Sequence, residues 1–143
     1  TVYWAGGVVD DVERWPAAVT LPDNVHRFSK RMEAVVHRRS GSPLATILGR
    51  SSDGRQTIRA AEYGHEADDN YRIAVGVGEA DLESLVSERM DYWALGGLHE
   101  RTILKDEGQQ LRYCGSPQGR SMSEAGAHGC YLVDVNSQRQ TQV

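Results

Sequence analysis

The feature that most restricts the fold lies between Tyr71 and Leu95. Two apolar runs, YRIAVGV and DYWAL, flank the segment DLESLVSERM, in which Leu82, Leu85, Val86 and Met90 recur at spacings of three and four residues. That spacing places the four side chains on one face of an α-helix, and Asp81 stands where a carboxylate caps a first turn. Strands joined through a helix cannot form a tight hairpin. They lie parallel, in a sheet that the helix covers on one side. The chain is therefore read as an α/β protein.

The remaining segments fit around this unit. TVYWA reads as a buried strand closed by Gly6-Gly7, and Asp10 and Asp11 can cap a short helix through DVERW that Pro16 limits. Leu21-Pro22-Asp23-Asn24 is a turn signal, after which VHRFS and MEAVVHR look like strands of a hairpin or meander. PLATILGRS is a stronger strand, with Leu44, Ile47 and Leu48 supplying its apolar content. Residues 51–70 read as a polar loop holding one short helix around Thr57 to Tyr63. RTILKD, QLRYCG and GCYLVDVN read as further strands, with Leu132, Val133 and Val135 in the last. The closing SQRQTQV has nothing to bury and is expected to fray. The expected architecture is a mixed-sheet layered sandwich, one domain over residues 1–136 with a polar tail at 137–143.

A chain of 143 residues with 39% hydrophobic and 25% charged residues can build one such core. No apolar run nears the roughly 20 residues that span a bilayer, and TVYWAGG is unlike a signal peptide, so no membrane association and a cytoplasmic location are expected. A chain that opens directly on a core strand reads as a fragment, or as one whose beginning has been removed. Cys114 and Cys130 lack zinc-site spacing and are expected as buried free thiols on neighbouring strands. Net charge is −4, yet Asp23 to Arg59 holds eight Lys or Arg against three Asp or Glu, a local +5 that leaves −9 elsewhere. Arg27, Lys30, Arg31, Arg38 and Arg39 form its densest part. They make DNA a candidate partner, against the plainer reading of a solvated edge hairpin.

The stretch DYWALGGLHERTIL, a strand running into Gly96-Gly97 with His99 beyond, has the form of a strand-end site. Together with YCGSPQGRSMSEAGAHGCYLVDV it resembles the calcineurin-like metallophosphoesterases, and within them the SbcD-like DNA repair exonucleases. The likeness is to that family's DYWALGHxH strand and its later PQGR segment. LPDNVHRFS, and AGGVVDD in place of the family's Gly-Asn-His-Asp, extend it across nearly the whole chain. The resemblance implies the C-terminal half of a phosphoesterase domain. It also implies two divalent metals, usually manganese-like, that activate a water against a phosphodiester, and an SbcC-like ATPase as partner.

Carried over by position, the resemblance loses most of its ligands. The metal-binding Asn falls at Val8 and the following His at Val9, while the aspartate that orients that His is kept as Asp10. Another metal-binding His falls at or near Val77. Of the last histidine pair the first is Gly97, and only His99 survives. The family's earlier ligand motifs would precede Thr1. A binuclear centre needs about four protein donors per ion at roughly 2.0–2.3 Å, which His99 and an outer Asp10 cannot supply. Val8, Val9 and Val77 are expected instead to plug the space with hydrocarbon. No cofactor is expected, and manganese or a similar divalent metal only if the chain is active.

Other arrangements of these residues are a single metal on His99 with Asp10 and Glu100 or His128, and a phosphate contact by Gly115 to Arg120. In the plainer reading Arg120 pairs with Glu124. The expected function is a degenerate, non-catalytic module that binds a protein or nucleic acid. The competing expectation is a metal-dependent phosphodiesterase or nuclease completed by an upstream segment or second chain. A homodimer is a further expectation, because half a sandwich leaves a sheet edge and face uncovered.

Overall fold

The computed structural model describes residues 1–64 and 68–143. In chain order its strands are β1 (Val2–Trp4), β2 (Val25–Arg27), β3 (Glu33–Arg39), β4 (Ser42–Gly49) and β5 (Tyr71–Val77). Helix α1 (Leu82–Ser87) follows, then β6 (Tyr92–Gly96), β7 (Thr102–Lys105), β8 (Gln110–Tyr113), β9 (Asp134–Val135) and β10 (Thr141–Gln142). Two 3₁₀ turns, Val12–Arg14 and Ala60–Tyr63, stand near the two short helices read from the sequence. Residues 65–67 of the expected 51–70 loop lie outside the described residues. Among the described residues no helix is long and apolar enough to cross a membrane.

The central sheet runs β3-β4-β5-β6-β8-β7. β4, β5, β6 and β8 are mutually parallel, and the outer strands β3 and β7 are antiparallel to their neighbours. The crossover from β5 through α1 to β6 is thus parallel, as the amphipathic spacing requires. Alternation along each strand then serves two cores. Ala74, Trp93, Leu95, Leu111 and Tyr113 face α1 and the Ala60–Tyr63 turn, where Leu85 and Tyr63 are buried. Ile73, Val75, Tyr92 and Ala94 face the other way, toward Phe28, Tyr3 and Val133. Phe28 is fully buried, and a Cβ on Gly49 would stand 2.3 Å from its ring. Glycine is required at that point of β4 because the ring occupies the space.

Several elements differ from expectation for local reasons. VHRFS does not pair with MEAVVHR: β2 lies parallel to β1, and β3 forms its hairpin with β4. The insertion of Phe28 beneath β4, with its N–H donated to Trp4 O at 2.9 Å, ties β2 to the first strand. Helix α1 is shorter than the apolar spacing suggests, leaving Leu82 and Val86 partly exposed while Leu85 and Met90 are buried. The chain leaves the helix early so that Asp91 can accept the Arg72 N–H at 2.7 Å and set the start of β6.

GCYLVDVN is mostly not a strand. Only Asp134–Val135 pairs, Tyr131 and Val133 are half-buried on one side, and Leu132 is 80% exposed. The terminal residues do not fray as expected. β10 pairs with β9, and Arg139 donates to Asp69 O, Asn70 O and the Asp91 carboxylate. Hydrogen bonds hold this polar segment where burial cannot. Cys114 and Cys130 are exposed, not buried, since both lie outside the ladders.

Candidate functional site

Three parallel strands end side by side at Val77, Gly96 and Tyr113. The loops that leave them, with the loop after β1, enclose an open hollow of about 610 Å³. Strand ends of a parallel sheet are where α/β proteins gather binding groups. The turn at Gly96-Gly97 is built for close backbone approach. Gly97 has φ of +103°, and a Cβ there would lie 3.0 Å from Gly78 N. Val77 sits beneath, its methyl 3.5 Å from the point where a Gly7 side chain would begin.

Of the expected hydrocarbon plug, only this half-buried Val77 is in place. Val8 and Val9 are 59% and 92% exposed and stand on the rim, so the hollow is open rather than filled. The cause lies on either side of them. Gly6 is anchored through its N–H to Ser51 Oγ at 2.9 Å, and Asp11 is held by Lys30, so the intervening residues arch outward.

His99 also lines the hollow, and its Nδ1 lies 2.5 Å from Arg120 Nη2. A guanidinium only donates, so that ring nitrogen serves as its acceptor. Glu124 completes the group. Its carboxylate accepts from the Arg120 backbone N–H at 2.9 Å and from Nη2 at 2.9 Å, and stands 3.1 Å from His99 Nδ1. These bonds from Arg120 hold the Glu124 carboxyl down at about 2 and raise the Arg120 guanidinium above its ordinary value. The pairing of Arg120 with Glu124 is therefore as the sequence suggested.

Asp10 shares the hollow with His99, but Val9 offers it no imidazole to orient. Glu100 and His128 open instead on a neighbouring hollow of about 600 Å³. Both ring nitrogens of His128 face backbone carbonyls, Ser116 O at 3.0 Å and Glu124 O at 2.8 Å, so it is a staple of this loop rather than a metal ligand. Among the described residues no group of three or more His, Cys, Asp or Glu could hold a metal. The donor set fits neither the binuclear centre nor the single-metal arrangement.

The basic residues differ in how far their charge is available. Lys30 lies 3.1 Å from Asp11 and 2.7 Å from Glu13, and Arg27 is half-buried. Arg38 and Arg39 are exposed beside the hairpin turn, where Arg38 donates to Gly41 O at 3.1 Å, and Arg31 is exposed. Arg120 alone of the six basic candidates reaches the hollow. Sequence reasoning missed Arg55, Gln56 and Glu79 as lining residues. They arrive because Glu79 N–H donates to Gln56 O at 2.6 Å and Ile58 N–H to Glu79 O at 2.8 Å, a bridge with no local pattern beyond Gly78 after the strand.

No protein-family model and no solved structure matches the chain. An uncharacterised metallophosphoesterase of Bacillus subtilis, YhaO, is 33% identical over 134 residues, which covers 83% of this chain. The chain spans about a third (33%) of that relative's length. With its mixed sheet, and with its hollow at the strand ends, the chain is related through this match to the metallophosphoesterases.

Proposed function

We propose that the chain is a phosphoesterase-like module of DNA repair exonuclease ancestry that does not hydrolyse phosphodiesters by itself and acts by binding a partner. The observation that carries this reading is the loss of donors around one hollow. Val77 and Gly97 form its floor, Val8 and Val9 its rim, and His99, the one histidine lining it among the described residues, accepts from Arg120. Attack by water on a phosphodiester at neutral pH needs a group that lowers the water's pKa and offsets charge on the transition state. These residues offer no such group. Hydrolysis would require a further segment or chain to complete the centre.

The test is an assay on bis-p-nitrophenyl phosphate and on duplex DNA ends with added manganese, run beside metal analysis of the purified chain. No turnover and no stoichiometric metal are expected. Tight manganese with turnover abolished by His99→Ala would overturn the reading.

A protein is the favoured partner. The net charge of −4 opposes a polyanion, and Asp11 and Glu13 neutralise Lys30. By family resemblance an SbcC-like ATPase is one candidate, and a second copy of the chain is another, which light scattering at high concentration tests. Nucleic acid is the second reading, favoured by the exposed Arg31, Arg38 and Arg39. If it holds, reversing Arg38 and Arg39 to Glu weakens DNA binding and lowers the salt slope by about 0.9 for each phosphate that is no longer neutralised. Unchanged affinity would remove the hairpin from consideration.

A further inference from the structure

The hollow that does not fit a metal has a chemistry of its own. Its rim carries the exposed hydrocarbon of Val8 and Val9, together with Leu98, which is 39% exposed, and Val77 lies at its floor. At about 610 Å³ it has the size of small-molecule sites, and its lining mixes hydrocarbon with nearly as much polar surface.

The charges around it are unequal in availability. Arg55 is engaged by Asp53 at 2.8 Å and Glu62 at 3.6 Å, and Arg120 by Glu124 at 2.9 Å. A phosphate entering here would have to displace those carboxylates. Asp10 and Glu79 also line the hollow, are exposed, and enter no ion pair among the described residues, Asp10 meeting the Arg120 guanidinium only through space. The unpaired charges are therefore negative, and they stand beside hydrocarbon.

We propose that this hollow binds a small organic cation, an ammonium group on an apolar body, its charge toward Asp10 and Glu79 and its body against Val8, Val9, Val77 and Leu98. The preference is the reverse of what a metal-loaded phosphoesterase centre shows, where cations in the site attract anions. It rests on the non-catalytic reading above, since metals in the hollow would neutralise both carboxylates. Exposed carboxylates contribute modestly, so binding is expected in the millimolar range and weakens with salt.

The experiment is a titration of the chain with benzylammonium, benzyl alcohol and phenyl phosphate, followed by NMR of the valine and leucine methyls. Benzylammonium should give saturable shifts at Val8, Val9, Val77 and Leu98, while phenyl phosphate gives none over the same range. Asp10→Asn and Glu79→Gln should each weaken binding by about fivefold, the upper effect of an exposed ion pair. Both positions are exposed, so folding is preserved. Saturation by phenyl phosphate at lower concentration, equal binding of benzyl alcohol, no saturable shift with any probe, or full affinity in the double variant would overturn the proposal. Metal-dependent turnover would sink the non-catalytic reading separately, because it is measured without these probes.

Discussion

At Gly97 the backbone holds φ of +103°, in a region that side chains with a Cβ rarely adopt, and Gly78 N would stand 3.0 Å from that Cβ. The residue where relatives are expected to carry a metal-binding histidine is thus conformationally committed to glycine. Gly97→Ala should cost about 1–2 kcal/mol in denaturant unfolding. Gly129→Ala, where an added Cβ meets nothing within 4 Å, should cost far less. Equal effects at the two positions would refute the strain argument, while a stable, metal-loaded Gly97→His would show that the turn can be restored. His128 makes a second residue-scale case. Two carbonyls facing its ring nitrogens are satisfied together only by imidazolium, and these bonds raise its pKa, with a smaller contribution from the Glu124 carboxylate. A raised folded pKa gives stability that is fully present below the unfolded value of 6.5 and is lost as pH rises through the folded value. Amide exchange around Ser116 and Glu124, corrected for its intrinsic pH dependence, should therefore accelerate as His128 deprotonates. Protection unchanged across that titration would mean the staple holds nothing. The pairing of Arg120 with Glu124 was legible at this scale because the residues are four apart. The clamp on His128 was not, since backbone carbonyls leave no mark in a sequence.

Elements were legible where hydrophobic periodicity forms them and obscure where hydrogen bonds do. YRIAVGV and DYWAL became parallel strands because their apolar residues must be buried on both sides of a covered sheet. The same logic misread the end of the chain. Leu132 and Val135 suggested a core strand, yet both are exposed, while the polar segment after them is docked through Arg139. Position along the chain, not polarity, decides this, because the groups that receive Arg139 are carbonyls at the start of β5 and the carboxylate before β6. Of the residues that line the hollow, Asp10, His99 and Arg120 stand out in the sequence, whereas the outward arch of Val8 and Val9 depends on anchors at Ser51 and Lys30 that no local pattern announces. Arg139→Ala removes the hydrogen bonds to Asp69, Asn70 and Asp91 made by a side chain that is 45% exposed, so its effect on global stability should stay within about 1 kcal/mol. The amides of Thr141 and Gln142 should nevertheless lose protection in the same variant. Retained protection there would show that the β9–β10 ladder stands without the docking arginine.

The whole molecule is organised by strands that serve two cores at once. Within β5, Ala74 faces the helix side while Ile73 and Val75 face Phe28, and within β6 Trp93 and Leu95 alternate with Tyr92 and Ala94 in the same way. Neither core can open without disturbing strands that carry the other, so the two should not unfold independently. Phe28→Ala removes a fully buried ring from one face and Leu111→Ala a fully buried side chain from the other, with expected costs of about 3–5 and 2–5 kcal/mol. If the sheet couples them, both substitutions shift one common transition. Far-ultraviolet dichroism of the sheet and tryptophan fluorescence, which includes Trp93 on the helix side, should then lose signal at the same denaturant concentration in either variant. Two separated transitions in Phe28→Ala, with the environment of Trp93 surviving the first, would show that the face carrying β1 and β2 is a detachable layer. Because the loop after β1 forms one wall of the hollow, that outcome would also predict loss of ligand binding before global unfolding. A single transition ties the integrity of the hollow to that of the entire sheet.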